Sequence, residues 1–300
     1  MDTSLTKRIQ QFYDTSSPLW ERTWGEHMHH GYYGITGQHK KDRRQAQIDL
    51  IEELLQWADI RTAQTILDVG CGIGGSTLYL ADKFAAHAVG ITLSPVQAER
   101  ASQRAAEQGI SLQPWQSFDQ VDSPAVHFQV TNALATPFLD NSFDFIWSME
   151  SGEHMPDKEA FLQECYRLLK PGGTFLMATW CHRAIHNLAG PLTDSEQLHL
   201  DRLYQLYHLP YVISLPEYGE IAESIGFADL AMADWSQQVE FFWQDVVQSA
   251  LDPAVIAGIL QAGTETVRGA AAIALMTTGY RRGLIRYGLL RGSKGMGHGE

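Results

Sequence analysis

Short apolar runs alternate along this chain with stretches of helical periodicity. The runs at 65–69 (TILDV), 88–92 (AVGIT), 126–130 (VHFQV), 143–148 (FDFIWS), 174–179 (TFLMAT) and 228–235 read as strands. Helical stretches at 76–84, 95–108 and 158–169 lie between several of them. Such alternation implies a mostly parallel sheet with helices on both faces. Ahead of it, Ile48, Ile51, Leu54, Leu55 and Ala58 recur at helical spacing, so 42–58 is an amphipathic helix. A leading helix carries Ile9, Phe12 and Tyr13, and a loop rich in Trp, His and Gly follows from Pro18 to Gly37. Residues 182–225 break the alternation after the fifth strand and read as an inserted helical cap. Residues 239–284 look helical, and 285–292 (IRYGLLRG) returns as a last edge strand. The expected fold is α/β: a doubly wound, mostly parallel seven-stranded sheet with N-terminal helices and a cap.

Composition narrows the function. With 300 residues, 44% of them hydrophobic and 19% charged, the chain holds one elaborated domain with a real core. The formal charge of −13 disfavours nucleic acid, whose phosphates need basic partners. Cys71, Cys165 and Cys181 form no CxxC pair, which fits a reduced, cytoplasmic setting. The first residues lack the apolar core of a signal peptide, and no apolar run is long enough to span a membrane. The apolar part of 269–278 is also too short, although it could rest on a membrane surface.

The most informative block is Ile66-Leu67-Asp68-Val69-Gly70-Cys71-Gly72-Ile73-Gly74-Gly75, at the end of the first strand. Glycines there let the chain turn tightly and let a ligand approach the backbone. Gly70, Gly72 and Gly75 also satisfy G-x-G-x-x-G, so a dinucleotide site must be weighed. Asp68 argues against it: a carboxylate two residues before the first glycine repels a pyrophosphate and suits a ligand bearing an ammonium and a sulfonium. The second strand ends at Thr92 without the acid that commonly holds an adenosine ribose. Ser94, Pro95 and Gln97 form a helix-capping box, a role compatible with facing the ligand crevice.

Together the loop ILDVGCGIGG, the stretch GITLSPVQ, the run DNSFDFIWSMESGEHMPD and the turn RLLKPGG resemble the γ-tocopherol methyltransferases and the related plant amine N-methyltransferases. WGEHMHHGYYG, RRQAQIDLI, TWCHR and LPYVISLPEY extend the likeness over nearly the whole chain, whereas 111–125 and 184–190 depart from it. The resemblance implies a Rossmann-like class I methyltransferase that uses S-adenosyl-L-methionine to methylate an aromatic carbon beside the phenol of a lipid-like chromanol. It implies that Asp68, Gly70 and Gly72 hold the methionine part, Leu93 and Gln97 the ribose, and Asn132 and Ala133 the adenine. Tyr13 and Tyr32 would close over the methionine end. The chain would then divide into an N-terminal segment closing the site (1–64), the cofactor-binding core (65–181), the substrate cap (182–225) and the end of the sheet with C-terminal helices (226–300).

Glu150, Glu153 and His154 follow the fourth predicted strand, where an open α/β sheet presents its crevice. A phenol near pKa 10 facing a histidine near 6.5 is about 3.5 units uphill, on the order of 5 kcal/mol, so the base needs help. Either glutamate could orient the imidazole and raise its pKa. On spacing alone, His154 as a solvent-facing loop residue and Glu153 as a capping group is the better reading; the resemblance reverses that preference. His27, His29 and His30 cluster, and His182 and His186 are four apart, but the further ligands zinc needs are not evident, so no metal is expected. Tyr204, Tyr207, His208, Tyr211 and Tyr218 are either helix packing or the lining of a prenyl pocket. An amine N-methyltransferase of the same fold is the enzymatic alternative. A nicotinamide oxidoreductase or a nucleotide-binding module is the rival from another class, opposed by Asp68.

Overall fold

Strands buried on both faces cannot alternate apolar with polar, and four of the runs lie side by side in the middle of one sheet for that reason. The computed structural model describes residues 3–120, 124–186, 188–250 and 264–296. Its parallel strands are β1 (Thr65–Val69), β2 (His87–Thr92), β3 (Ser111–Leu112), β4 (Ala125–Val130), β5 (Phe143–Met149) and β6 (Leu169–His182). Two more, β7 (Phe227–Asp234) and β8 (Ile285–Lys294), complete an eight-stranded sheet in the order β3-β4-β2-β1-β5-β6-β8-β7. The extra strand is the two-residue β3, too short to leave an apolar run in the sequence. The expected last edge strand, β8, is instead interior: it runs antiparallel between β6 and β7, and β7 takes the edge. Its burial agrees, with Tyr287, Leu289 and Leu290 fully enclosed.

Because β2 and β4 lie on one side of β1 and β5 on the other, the topological switch point falls between β1 and β5. The glycine loop follows β1, and the acidic run 150–154 follows β5, so both reach the same crevice.

The sheet is covered by α3 (Gly75–Phe84), α4 (Pro95–Glu107), α5 (Lys158–Leu168) and α7 (Leu215–Ile225). The last of these lies in the expected cap but packs on α5, β7 and β8, because Tyr218 and Ala222 turn into the sheet's core. Outside the sheet, α6 (Asp194–Tyr207) packs on α10 (Thr264–Arg281), which in turn meets α9 (Phe241–Ala250). A four-residue helix, α8 (Ser236–Val239), precedes α9. The helical reading of 239–284 holds for α9 and α10, and its middle lies outside the described residues. Within 269–278, Ala272 and Met276 are buried and Ala271, Ala274 and Thr278 exposed, so the apolar side of this stretch faces protein. Among the described residues no helix is long and apolar enough to cross a membrane.

At the N-terminus, α1 (Thr3–Trp24) runs straight through Pro18, where a loop was expected. A proline inside a helix loses one hydrogen bond. Here tertiary contacts override it: Glu21 binds Arg100 and Arg104 of α4 at 2.8 and 2.6 Å, and the rings of Trp20 and Trp24 stack at 5.5 Å. Helix α2 (Arg43–Trp57) matches the periodicity that predicted it, starting from an Asp42 cap.

Candidate active site

The glycine loop is built by close approach. Gly70 has φ +84°, and a Cβ there would lie 2.3 Å from the Cβ of Ser151, so the loop after β1 and the segment after β5 touch only because this side chain is absent. Ser151 secures that contact by donating its hydroxyl to the Val69 carbonyl at 2.6 Å. Gly72 (φ +53°) faces Met28 from the N-terminal segment.

A cavity opens beside this loop. It is lined by Asp68, Gly70, Gly72, Leu93, Gln97, Asn132, Ala133, Tyr13, Glu150 and His154, all expected from sequence. Tyr32 is not there. Gly31 packs tightly on Ala46 of α2, and Tyr32 lies against Trp235 with its amide donating to the Ala46 carbonyl. Helix α1 supplies the closing wall instead, through Tyr13, Ile9 and Trp20. Met28 and His29 also line it, without any periodic signal to reveal them.

Asp68 is 2% exposed, and its carboxylate accepts the Thr77 hydroxyl at 2.6 Å and is also hydrogen-bonded by the Thr77 backbone. Burial pushes it up to about 7, partly offset by Thr77. A buried acid so poorly compensated is waiting for a cation. Gln97 departs from its expected capping role. Ser94 does cap α4, accepting the Gln97 amide at 3.1 Å, but the Gln97 side chain accepts the Thr92 hydroxyl at 2.7 Å and donates to Ser17 at 3.0 Å. The absence of an acid on β2 thus leaves a neutral polar pair at the cavity wall.

A second cavity adjoins the first and shares Tyr13, Trp20, Met28, His29, Glu150 and His154 with it. Its other walls are His30, Glu153 and the aromatic side chains Trp24, Trp180, Tyr207, Phe242 and Trp243. Of the five aromatic side chains expected in the cap, Tyr207 alone is among these lining residues. Tyr204 accepts the Val212 amide, Tyr211 lies by the Lys158 ammonium, Tyr218 donates to the Gly152 carbonyl, and His208 packs on Phe12.

The acid–base cluster differs from the expected Glu–His154 couple. Glu150, at φ +49°, accepts the His30 amide at 2.7 Å, His30 Nδ1 at 2.9 Å, the Tyr287 hydroxyl at 3.0 Å and Trp180 Nε1 at 3.3 Å. Burial alone would raise this carboxyl, but His30 outweighs it and holds it below the usual carboxylate range. Glu153 accepts the Thr179 hydroxyl at 2.6 Å, and burial, together with the nearby Glu150 charge, pushes it up to about 7. Among the described residues His154 has no carboxylate partner, and its Nδ1 is buried without one of any kind. Its Nε2 shares a 2.6 Å hydrogen bond with the Tyr13 hydroxyl. Burial, and next the Lys158 charge, pull it down to about 3. Burial thus weakens His154 as a base, and no glutamate orients its imidazole as the expected couple required. Lys158 itself is buried; its ammonium donates to the Gly152 and Glu153 carbonyls at 2.9 and 3.0 Å and braces the turn that carries Glu153 and His154.

The three cysteines are buried free thiols. Among the described residues, no group of three or more His, Cys, Asp or Glu side chains is placed to hold a metal.

The sequence pattern of the methyltransferase domain matches residues 67–177. The chain is 44% identical to the probable tocopherol O-methyltransferase, chloroplastic, of Oryza sativa subsp. japonica, over 95% of this chain and 77% of the rice protein. It is 40% identical to the tocopherol O-methyltransferase, chloroplastic, of Arabidopsis thaliana, over 96% and 82% of the two chains. The 2-methyl-6-phytyl-1,4-hydroquinone methyltransferase of Synechocystis is 34% identical over 92% of this chain and 84% of its own. This chain belongs to the tocopherol methyltransferase family. It is a class I methyltransferase whose cofactor is S-adenosylmethionine. In fold it is also similar to the [4+2]-cyclase SpnF, with a TM-score of 0.76 at 24% identity over 97% of both chains. The site fits the family's cofactor: Asp68 is a buried acid lacking a cation, and the glycine cradle has no room for side chains.

Proposed function

We propose that this enzyme transfers a methyl group to the ring carbon beside the phenol of γ-tocopherol and related tocopherols, a step of vitamin E biosynthesis. The observation that carries this reading is the second cavity: aromatic walls around a buried acid–base cluster, opening onto the cofactor cavity through Tyr13, His29, Glu150 and His154. A flat chromanol bearing a long apolar tail suits such walls, and its phenol suits such a cluster. An amine acceptor would need a base only to remove a proton from its ammonium. A tail of this kind keeps the acceptor in a membrane, so the enzyme meets it as a soluble protein at a membrane surface.

When bound, S-adenosylmethionine supplies an electrophilic methyl on a sulfonium. Asp68 would hold its ammonium, with Gly70 and Gly72 allowing the close approach. Leu93 and Gln97, which line the cavity, would face its ribose, and Asn132 and Ala133 its adenine. Residues 1–64 close the site, with 65–181 as the binding core. The α6 part of 182–225, braced by α10 from the last segment, covers the acceptor. Glu150 acts as a fixed anion that favours positive charge in the crevice, while Glu153, held by Thr179, exchanges protons near neutrality.

Incubated with γ-tocopherol and labelled cofactor, the enzyme should give a product methylated on carbon with its phenol free. Mass spectrometry and reaction with a phenol-selective reagent check this. A dominant O-methyl ether would refute the ring-carbon reading, and turnover of amines alone would replace it with the N-methyltransferase alternative.

The Tyr13–His154 bond ties α1 to the turn after β5 across the cofactor cavity, so we assign this pair a closing role. Tyr13→Phe and His154→Ala should each weaken cofactor binding about fivefold, the value of roughly 1 kcal/mol for one hydrogen bond. The double variant should be no worse than either alone. Calorimetric affinities that multiply in the double variant would sink the closing role.

A further inference from the structure

His29 lies in the histidine cluster of residues 27–30, at the junction of the two cavities. Gln47 donates to its carbonyl at 2.9 Å and fixes the backbone. Its ring Nδ1 lies 2.7 Å from the His30 carbonyl. A carbonyl only accepts, so Nδ1 carries the proton, and in the neutral ring Nε2 holds a bare lone pair. That Nε2 is buried with no partner, on a side chain 5% exposed that lines both cavities. Buried polar atoms are nearly always satisfied, so an acceptor left open at the junction of two cavities calls for a donor from the ligand.

We propose that His29 is the catalytic base, its Nε2 taking the proton of the acceptor's phenol as the methyl group moves. This rests on the reading of the acceptor as a phenol. The O–H bonding pair stays on oxygen and delocalises into the ring, and the ring carbon beside it forms the new C–C bond with the sulfonium methyl. The C–S pair leaves with sulfur as a neutral thioether. The dienone so formed regains aromaticity when its oxygen recovers the proton from the His29 imidazolium and the ring proton passes to water, one proton being released per turnover.

The charges around His29 suit this task better than those around His154. Burial lowers its pKa, but the Glu150 carboxylate opposes that effect, as does the bond to the His30 carbonyl. His30 disfavours its charged form, and the His27 ring lies 5.4 Å away. Tyr13, Glu153 and His154 share the second cavity with it. A fixed anion beside a tautomer-locked imidazole is the arrangement by which a general base is both aimed and stabilised once protonated. His154 also keeps a buried ring nitrogen without a partner, its Nδ1, but its Nε2 is engaged by Tyr13 and the neighbouring Lys158 charge disfavours its protonated form.

The test begins with the unmodified enzyme on γ-tocopherol and on an amine panel. Turnover of amines alone would overturn the acceptor reading, and the base with it, before any variant is made. With phenol turnover in hand, His29→Asn keeps a donor toward the His30 carbonyl and removes Nε2. Expected are a kcat lowered roughly 10²–10⁴-fold, the usual contribution of a positioned base, with KM and cofactor affinity nearly unchanged. The acidic limb of the kcat profile should vanish, and the variant's rate should climb with pH as solvent takes over. Added imidazole should rescue His29→Ala, which guards against the asparagine variant failing to fold. A kcat within threefold of the unmodified enzyme, an unchanged acidic limb, or no imidazole rescue in a His29→Ala variant that binds cofactor normally would each overturn the proposal.

Discussion

Asp68→Asn should bind S-adenosylmethionine about 10²- to 10³-fold more weakly than the unmodified enzyme. Asparagine preserves shape and can still accept the Thr77 hydroxyl, so the loss isolates the charge. Removing one partner of a buried, hydrogen-bonded ion pair costs roughly 3–5 kcal/mol, and each 1.4 kcal/mol is about tenfold in affinity. The same carboxylate predicts a pH signature. In the free enzyme burial raises Asp68 to about 7, whereas the cofactor's ammonium pairs only with the ionised form. Binding therefore expels a proton below pH 7, and affinity should fall toward tenfold per unit as the pH drops from there, levelling only at the lower pKa of the complex. Above pH 7 it should be flat, and the asparagine variant should lack the slope. Calorimetry over about pH 5.5 to 8 measures both. Affinity within threefold in the variant, or tight binding of NAD by the unmodified enzyme, would contradict the role assigned to Asp68.

What the sequence revealed and what it hid follow from how local each feature is. The glycine-loop wall of the cavity was legible because its determinants are consecutive: Asp68, Gly70 and Gly72 lie on one strand end and one turn, and their types alone imply a cation at a close-approach loop. The parallel strands were legible because burial on both faces leaves uninterrupted apolar runs. The place of β8 was not, since strand order depends on which neighbour pairs with which, and β8 is separated by 50 residues of chain from β7 beside it. Nor was the helix through Pro18, which the local rule forbids and which survives on contacts with α4. The acid–base cluster misled for the same reason. Glu150, Glu153 and His154 are close in sequence, yet Glu150 pairs with His30, 120 residues upstream, and Glu153 with Thr179. Proximity in sequence marked the right crevice and the wrong couples.

Glu150→Ala should lower the melting temperature by roughly 10 °C, the largest stability loss expected of a residue at the site. The carboxylate collects the His30 amide, His30 Nδ1, the Tyr287 hydroxyl and the Trp180 indole, and so ties the N-terminal segment, β6 and β8 to the end of β5. Alanine would strand these enclosed donors, and breaking such a buried network costs about 3–5 kcal/mol, at some 2–4 °C per kcal/mol for a chain of this size. Backbone strain does not account for the loss. Glu150 already sits at φ +49°, so Glu150→Gly relieves strain while removing the same carboxylate, and it too should melt well below the unmodified enzyme. Glu150→Gln separates charge from size. Its amide oxygen can still accept two of the donors, so its melting temperature should lie between those of alanine and the native residue. Its turnover should fall more than its stability does, because a neutral amide cannot offset positive charge developing in the crevice. Thermal denaturation of the three variants, read beside their kcat, checks this. A melting temperature within 2 °C of the unmodified enzyme in Glu150→Ala would mean that the network does not tie the fold together. Full turnover by Glu150→Gln would mean that the anion is structural only.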